Sequence, residues 1–434
     1  MTKPDTIVIG AGAAGLAAAR ELTRAGKTVA VLEARDRVGG RVYTRTDPRC
    51  AAPIELGAEF IHGDAPLTFD LLREVGAAAV GESGSSWEVR DGSLIRSVDD
   101  PFSSLPELLD RLDRNAPDES VDEFLGRVTV DARSSEIARW VRLAVESFDA
   151  ADPAIAGIQS IADEWSGSAS LEGSQYRLTA GYGSLMDRLA ASLPPLQATV
   201  YLQTIVERVE WKKGGVRIIA RRANETLAFD CERAIVTLPA GVLTDGSVTF
   251  APDLPSDRRR AIEGIKTGPV TKIVLRFAQP FWTGLRDRQL RDASFFFGPQ
   301  TGFPVFWTRY PQISPLVVAW AAGPYSTRLK ERNEDETAAI AIDEFAGVLG
   351  LDRRTVDREL EAVYVHDWQR DPFARGAYSY LATGARDARE VLARPIESML
   401  YFGGESTAQG GRGGTVEGAL RSGVRAAQAL LAAL

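Results

Sequence analysis

The stretch Asp5-Thr-Ile-Val-Ile-Gly-Ala-Gly-Ala-Ala-Gly15 runs from an apolar strand through a glycine-rich turn into an alanine-rich helix. Gly10 permits the tight turn, and Gly12 lets the backbone come close to a pyrophosphate. Gly15 lets the helix lie close against the strand, and the helix N-terminus offers unpaired N–H groups to the anion. The pattern therefore predicts a βαβ unit that binds a dinucleotide.

The next strand ends in the acidic residue that this pattern requires. Lys27-Thr-Val-Ala-Val-Leu-Glu33 follows a helix that closes at Gly26, and Glu33 stands where a carboxylate binds a ribose hydroxyl. Gly39-Gly40-Arg41 then offers a second close backbone approach and a cationic fork to the pyrophosphate. This segment resembles the FAD-binding segment of flavin oxidoreductases of the glutathione-reductase type, and the resemblance implies FAD. An NAD-dependent dehydrogenase is the alternative that a colourless purified protein would support.

Length, composition and charge limit the classes of protein to which the chain can belong. The 434 residues suffice for two domains, and 44% hydrophobic and 25% charged residues are typical of a globular chain. A net charge of −8 argues against a nucleic-acid surface. Cys50, Cys231, His62 and His366 are too few for a common zinc site without carboxylate ligands, so we expect no metal.

The expected cellular location is inferred from the cysteine count and from the N-terminal sequence. The two cysteines have no partner motif, which favours a reducing compartment, and we expect a cytoplasmic protein. The fingerprint begins almost at Met1, so no cleavable leader is expected. No apolar run approaches the ~20 residues needed to cross a bilayer, so we expect no membrane partner.

Hydrophobic spacing predicts the order of elements along the chain. Residues 66–175 are predicted to be largely helical, because apolar residues recur at three- and four-residue spacing. Strands are predicted over 203–211, 215–220, 231–239, 270–277, 305–307, 316–321 and 400–404, and later helices over 336–349 and 415–434. The cofactor domain would then comprise 1–65, 176–265 and 395–434, and the substrate domain 66–175 and 266–394. We predict an α/β protein in which a Rossmann-like FAD-binding domain carries an inserted α+β substrate domain.

Four further segments are similar to the flavin amine oxidase family, which includes monoamine oxidases, polyamine oxidases, L-amino-acid oxidases and flavin-dependent histone lysine demethylases. They are Leu56–Gly63, Gly268–Phe277, Trp368–Tyr380 and Phe402–Gly418. Together with the opening fingerprint they extend the resemblance over nearly the whole chain.

Two residues in these segments are assigned roles by the resemblance. His62 would stand beside the substrate near the flavin, as in polyamine oxidases; without the resemblance, the favoured interpretation is a histidine that caps a turn before Gly63. Lys272 would hold a water against the flavin N5 and assist the reaction with oxygen. A strand lysine is usually explained by exposure to solvent, but Val270 and Val274 flank Lys272 on its own face.

The resemblance also implies an aromatic cage around the reacting amine. Tyr378 would form one wall, where its electron-rich face suits a cation; the alternative is a core aromatic on a strand. Thr415 stands where monoamine oxidases have a second cage tyrosine, so the cage is one-sided. Ala377 stands where those enzymes carry the cysteine that bonds to the flavin, so FAD is expected to be bound non-covalently.

The remaining cofactor contacts follow from the motifs and the resemblance together. Glu405 would contact the ribityl-pyrophosphate region, Val416 the flavin ring and Val206 the adenine. The positive end of the helix that begins near Thr415 would face the flavin edge where charge collects on reduction. The full set of predicted cofactor residues is Gly10, Gly12, Ala14, Gly15, Glu33, Arg35, Gly40, Arg41, Gly57, Ala58, Val206, Glu405, Thr415 and Val416.

The resemblance implies a reaction with a small-molecule amine and oxygen. The amine would lose a hydride equivalent to flavin N5 and give an imine that water hydrolyses, while oxygen becomes hydrogen peroxide. His62, Thr415 and the segment Arg375-Gly-Ala-Tyr-Ser-Tyr380 favour a polyamine or secondary-amine oxidase.

An L-amino-acid oxidase that uses Arg309, and an FAD-dependent desaturase, remain alternatives; a non-catalytic FAD-binding scaffold is less favoured. A histone demethylase is not expected, because neither an added N-terminal module nor a long coiled-coil insertion is evident. A homodimer is left open.

Overall fold

A computed structural model describes residues 3–97, 103, 105–166 and 174–434. Its strands are β1 Thr6–Ile9, β2 Val29–Leu32, β3 Thr44–Asp47, β4 Cys50–Glu55, β5 Phe60–His62, β6 Ala79–Gly81, β7 Ser85–Arg90, β8 Ser93–Arg96, β9 Gln175–Leu178, β10 Ala198–Tyr201, β11 Ile205–Lys212, β12 Gly215–Arg222, β13 Glu225–Cys231, β14 Arg233–Val236, β15 Thr249–Ala251, β16 Ile265–Thr267, β17 Val270–Phe277, β18 Ala293–Phe297, β19 Val305–Trp307, β20 Leu316–Ala322, β21 Leu360–Asp367, β22 Ser379–Leu381 and β23 Leu400–Phe402.

Helices lie between these strands along the chain, and the last one follows β23. They are α1 Ala13–Arg24, α2 Pro66–Val75, α3 Leu105–Leu109, α4 Val121–Val128, α5 Ala132–Ser147, α6 Ile158–Trp165, α7 Tyr182–Ala191, α8 Ala240–Asp245, α9 Ser256–Gly264, α10 Pro324–Arg328, α11 Glu334–Leu349, α12 Arg353–Glu359, α13 Ala388–Ala393 and α14 Val416–Ala432, with short 3₁₀ turns at Phe281–Gly284, Arg286–Arg288 and Glu405–Thr407. In the described part of the chain, no helix combines the length and apolarity needed to cross a membrane.

The first sheet has five parallel strands in the order β10-β2-β1-β14-β23. Its central strand β1 is apolar and fully buried, as expected for a parallel strand covered on both faces. Val8 packs with α1 and α14 on one face, and Ile7 and Ile9 pack with the sheet β13-β12-β11-β15 on the other. A Cβ on Gly423 would come within 2.0 Å of the Ala14 carbonyl oxygen, so α14 and α1 touch backbone to backbone. The predicted Rossmann-like unit is confirmed.

The second sheet has seven strands in the order β21-β17-β20-β19-β18-β7-β8. Residues of α5 and α11 pack with it in one large apolar core. All eight residues of β17 are buried, because this strand lies between β20 and β21 and both of its faces are covered. Strand β17 begins and ends where the sequence predicted. The domain bounds stay a prediction.

The prediction that residues 66–175 are largely helical is wrong for 79–96, where β6, β7 and β8 lie. Strands β7 and β8 form a hairpin closed by Asp91 and Gly92, whose φ angles are 50° and 72°. Asp-Gly between alternating residues is the usual signal for such a turn. Strand β7 then pairs in parallel with β18 and so joins the seven-stranded sheet. Parts of the predicted helical range, 98–102, 104 and 167–173, lie outside the described residues.

Candidate active site

A cavity of about 1160 Å³ lies at the carboxyl ends of the parallel strands and extends to the seven-stranded sheet. The carboxyl ends of parallel strands are the usual ligand site in open α/β sheets. The predicted site residues on its wall are Gly10, Gly12, Ala14, Glu33, Arg35, Gly40, Arg41, Gly57, Ala58, His62, Val206, Lys272, Ala377, Tyr378, Glu405, Thr415 and Val416. Gly15 lies behind the wall, where a Cβ would come within 1.9 Å of the Gly10 carbonyl oxygen.

The glycine turn forms the floor of one half of the cavity. Gly10 has a φ of 102°, a conformation that favours glycine, and its Cβ would come within 2.7 Å of Thr237 Oγ1. The second glycine segment lies against the first, because Gly39 N–H donates to the Ala11 carbonyl at 2.8 Å. A Cβ on Gly12 would approach Gly39 and Gly40 no closer than 3.9 Å, so that position is open. The floor of this half, formed by Gly10–Gly15 and Gly39–Gly40 and called the cradle below, is therefore mostly backbone.

Glu33 lies at the end of β2, beside this turn. Its carboxylate accepts hydrogen bonds from the backbone N–H groups of Ala11 at 2.8 Å and Arg35 at 2.9 Å. Burial raises the pKa of Glu33, and these two hydrogen bonds oppose the rise. The fold thus fixes the carboxylate that the sequence assigned to the adenosine ribose.

The two arginines predicted for the cofactor each pair with a distant carboxylate. Arg35 makes a bidentate pair with Asp371 at 2.8 and 2.7 Å. Arg41 donates to Glu405 at 2.7 Å and to the Ala377 carbonyl at 2.5 Å. Both pairs tie the glycine-rich half of the cavity to segments far along the chain.

The buried carboxylate of Glu405 accepts several hydrogen bonds. Ser379 Oγ donates to it at 2.6 Å and the Gly414 N–H at 3.1 Å. Burial opposes ionisation, but the charges of Arg41 and Arg389 outweigh it and lower the pKa of Glu405. The acid is therefore ionised at neutral pH.

Thr415 caps helix α14, which begins at the cavity. Its Oγ1 accepts from the Gly418 N–H at 2.9 Å and donates to the Arg412 carbonyl at 2.9 Å. Val416, the first residue of α14, lines the cavity beside it. The positive end of α14 therefore faces the cavity, with the Thr415 hydroxyl engaged as its cap.

Lys272 lies in the other half of the cavity, and the usual explanation that a strand lysine faces solvent is wrong here. Its side chain is 1% exposed. Its Nζ donates to Glu59 at 2.8 Å and to the Gly57 carbonyl at 3.2 Å. Glu59, in the connection between β4 and β5, was missed in the sequence, because nothing in its local pattern separates it from an ordinary acidic residue.

Aromatic side chains from several strands enclose this half. The ring centroids of Phe60 and Phe295 lie 6.2 Å apart, and those of Trp307 and Trp320 lie 5.4 Å apart. Tyr378 is half-buried, and its hydroxyl donates to the Phe148 carbonyl at 2.6 Å. Burial raises the pKa of Tyr378, so the phenol stays neutral. The resulting chamber is apolar and holds a few fixed polar groups.

His62 lies half-buried in the wall of the same chamber, at the end of β5. Its ring centroid lies 5.9 Å from that of Phe60. Burial lowers the pKa of His62 to about 4, so the imidazole is neutral at pH 7.

Asp149 is a further acid on the cavity wall that the sequence did not indicate. Its Oδ2 accepts from Trp165 Nε1 at 3.0 Å. Burial and the nearby charge of Glu164 raise the pKa of Asp149 well above its ordinary value. It lies just after α5 in no recognisable motif, so only the folded chain reveals it.

Comparison with known proteins yields one family and several relatives. The family described as flavin containing amine oxidoreductase matches residues 13–431. Probable polyamine oxidase 4 of Arabidopsis thaliana is 28% identical over 98% of this chain and 86% of that protein. Lysine-specific histone demethylase 1 homolog 1 of Arabidopsis thaliana is 28% identical over 99% of this chain, which spans only 52% of that relative.

Solved structures show the same fold. Putrescine oxidase bound to putrescine superposes with a TM-score of 0.83 at 22% identity, covering 99% of both chains. Cyclohexylamine oxidase from Brevibacterium oxydans superposes with a TM-score of 0.80 at 20% identity, again over 99% of both chains. Since the family match spans nearly all of the sequence and the cavity joins a dinucleotide cradle to an aromatic chamber, the chain belongs to the flavin-containing amine oxidoreductases and is an amine oxidase.

Proposed function

We propose that the chain oxidises the C–N bond of a polyamine or another secondary amine to an imine, with FAD as cofactor and oxygen as the final electron acceptor. The observation that carries the proposal is the continuity of the cavity: one space is lined by Gly12 and Glu33 at one end and by Lys272 and Tyr378 at the other. A cofactor that spans it would meet a substrate in the chamber.

The cradle half has the features that FAD requires. The open position at Gly12 leaves room for a pyrophosphate, and Glu33 offers a carboxylate to the ribose. Helices α1 and α14 both begin at the cavity, so their N-termini favour the anionic parts of the cofactor. When bound, FAD supplies the two-electron chemistry that protein side chains lack.

The proposed reaction balances in atoms and electrons. An amine with a hydrogen on its α-carbon loses two electrons and two protons and becomes an imine. Oxygen takes up the same electrons and protons and becomes hydrogen peroxide. Water then adds to the imine and releases a carbonyl compound and the shorter amine.

The chain's own residues prepare the amine rather than attack it. The walls around Trp307, Trp320 and Phe295 exclude water, which favours the neutral amine that can react. The face of Tyr378 suits the cation that first arrives. The family resemblance assigns the reaction with oxygen to Lys272.

A cationic substrate is favoured by the acid in the chamber. Asp149 lies on the cavity wall, where a second ammonium of a polyamine would oppose the rise in its pKa and pair with the ionised carboxylate. The curated relatives include polyamine oxidases, and a superposing structure holds putrescine.

An L-amino-acid oxidase is disfavoured by the position of Arg309. Its guanidinium is buried and donates to the Pro53 carbonyl at 3.4 Å and to Gln312 at 3.2 Å. Arg309 is not part of the cavity lining within the described ranges, so it does not offer its fork to a substrate carboxylate.

Non-covalent binding of FAD is proposed from Ala377, whose methyl group cannot bond to a flavin. Precipitation of the purified protein with acid should leave all of the yellow colour in the supernatant; colour in the pellet would contradict this.

A cytoplasmic location and a homodimer stay proposals. Cell fractionation would test the location, and light scattering would test the oligomeric state.

The first experiment is the flavin spectrum of the purified protein, mixed without oxygen with polyamines, monoamines and amino acids in turn. Bleaching by polyamines is expected. Bleaching by amino acids alone would favour the L-amino-acid oxidase. A flavin that bleaches with dithionite but with none of these amines would indicate a desaturase or a scaffold, and a colourless protein would revive the NAD-dependent dehydrogenase.

A further inference from the structure

The carboxylate of Glu59 lies against Lys272 and is fixed from three sides. Its Oε2 accepts hydrogen bonds from Lys272 Nζ at 2.8 Å and from Trp307 Nε1 at 3.1 Å. Its Oε1 accepts from Arg177 Nε at 3.0 Å. These donors come from β17, β19 and β9, so three separate strands converge on one acid.

The surroundings of Lys272 make an anion necessary. Its Nζ lies 5.4 Å from the ring centroid of Trp307 and 6.0 Å from that of Trp320, and the side chain is 1% exposed. An ammonium ion in such a place is costly unless it contacts an opposite charge. Glu59, itself only 2% exposed, is the acid in contact with it.

Two acids lie near Lys272 but differ in charge. Burial raises the pKa of Glu55 to about 7. Burial also opposes the ionisation of Glu59, but three neighbouring cations outweigh it and lower the pKa of Glu59 to about 2. The cations are Lys272, Arg177 and Arg309. Glu59 is therefore the dependable anion of this cluster.

The hydrogen bonds of Lys272 also define where its ammonium can act. An ammonium has three N–H donors, and two of them meet Glu59 and the Gly57 carbonyl, at 2.8 and 3.2 Å. Both acceptors lie in one short segment, whose backbone is held close to its neighbour, because a Cβ on Gly57 would come within 2.0 Å of the Arg41 carbonyl oxygen.

We infer that Glu59 is a positioning residue for the reaction with oxygen: it pairs with Lys272 and, together with the Gly57 carbonyl, engages two of the lysine's donors, which leaves the third N–H for the cavity that Lys272 lines. The inference rests on the role proposed for Lys272. It extends that role to an acid whose effect passes through Lys272.

A double-mutant cycle of Glu59→Gln and Lys272→Met tests this. The FAD-loaded proteins are reduced with dithionite, so that no amine is needed, and mixed with oxygen in a stopped-flow instrument. Each single variant should slow reoxidation by about tenfold or more, and the double variant should be no slower than Lys272→Met alone. Should Glu59→Gln fail to hold FAD, Glu59→Asp, which keeps the charge and withdraws it by one methylene, takes its place.

The ion pair itself has a readout that does not involve catalysis. In the FAD-free protein, Glu59→Gln should lower the unfolding temperature, because it leaves buried cations without their anion. Adding Lys272→Met should recover part of that loss. Glu55→Gln is the matched control, since Glu55 is equally buried but bonds to Thr44 and Tyr182, and it should leave reoxidation unchanged.

The outcomes separate the two claims. If Lys272→Met slows reoxidation and Glu59→Gln does not, or if their effects multiply in the double variant, the inference about Glu59 is overturned while the role of Lys272 stands. If Lys272→Met leaves reoxidation unchanged, the proposed role of the lysine is wrong and the inference falls with it.

Discussion

The cradle half of the cavity is built mainly of backbone, whereas the chamber half is built of side chains. In the cradle, the turn at Gly10–Gly15 and the segment Gly39–Gly40 approach each other without any side chain between them. In the chamber, Lys272 forms an ion pair with Glu59, and the walls come from strands far apart in the sequence. Cofactor binding therefore depends on a local motif, whereas the proposed handling of the amine and oxygen depends on side chains that only the tertiary fold brings together.

Replacement of Gly15 by alanine should have the largest effect, because it adds an atom where backbone already lies. The new Cβ would stand 1.9 Å from the Gly10 carbonyl oxygen, and neither segment can withdraw without opening the β1–α1 turn. We expect a loss of about 3 kcal/mol or more in the free energy of unfolding, and loss of FAD binding. Urea unfolding and the flavin absorbance of the purified protein measure both.

Gly126→Ala is the matched control for this prediction. Gly126 lies in α4, and a Cβ there would meet no atom within 4 Å. Its replacement should stabilise the helix by up to about 1 kcal/mol. Equal tolerance of both substitutions would show that the cradle does not depend on close backbone packing.

Arg41 tests whether the cradle is built of backbone alone, because it is a side chain that lines this half of the cavity. Arg41→Ala would leave Glu405 buried without one of its cations and remove positive charge from the cradle. We expect the dissociation constant of FAD to rise on the order of 100-fold. Titration of the FAD-free protein, followed by flavin fluorescence, measures it.

Arg73→Ala serves as the control, since its side chain is 72% exposed and lies on α2. It should leave FAD affinity unchanged. If Arg41→Ala binds FAD as tightly as this control does, the cradle is built by backbone alone.

The two halves also differ in how far the sequence could predict them. The turn at Gly10 and the acid Glu33 are readable because their partners lie within about one βαβ unit. The hairpin at Asp91-Gly92 was equally readable from its turn residues and was missed.

The side-chain contacts of the chamber could not be predicted from the sequence, for a physical reason. Strand β17 was predicted with its bounds, yet the burial of Lys272 is decided by Trp320 on the neighbouring strand β20 and by Trp307 on β19, which pairs with β20. The neighbours of Glu59 and Asp149 are not indicated by any local sequence pattern. Resemblance to a family pointed to Lys272 and Tyr378 as candidates, and only the folded chain showed the two acids beside them.

Asp149→Asn should have an intermediate effect on activity, and it tests whether the chamber binds cationic substrates. Removing the carboxylate should raise the KM for a polyamine by about tenfold, since one charge-assisted contact is lost. The KM for a monoamine without a second charge should stay the same. Steady-state oxygen uptake with both substrates measures the difference; equal changes would contradict a role in binding the second ammonium.

The same substitution should also change how the stability of the protein depends on pH. Burial raises the pKa of Asp149 above the unfolded value of 3.8, so the folded form retains its proton longer than the unfolded form. Stability is therefore lost as pH rises from the unfolded pKa through the folded one. Asn, which never ionises, should unfold at a higher temperature than the original protein at pH 8 and at nearly the same temperature at pH 4.

His62→Gln should have the smallest effect, because the imidazole is already neutral where the enzyme would work. Burial lowers the pKa of His62 from 6.5 to about 4, so the profile of amine oxidation between pH 6 and 8 should keep its shape in the variant. The same shift makes the unfolded chain take up a proton first as pH falls, so the original protein should lose stability relative to His62→Gln between pH 6.5 and about 4. Thermal unfolding at several pH values measures this. If His62→Gln instead removed a rate step near pH 6.5, the imidazole would titrate as in water, and the chamber would be wetter than its aromatic walls imply.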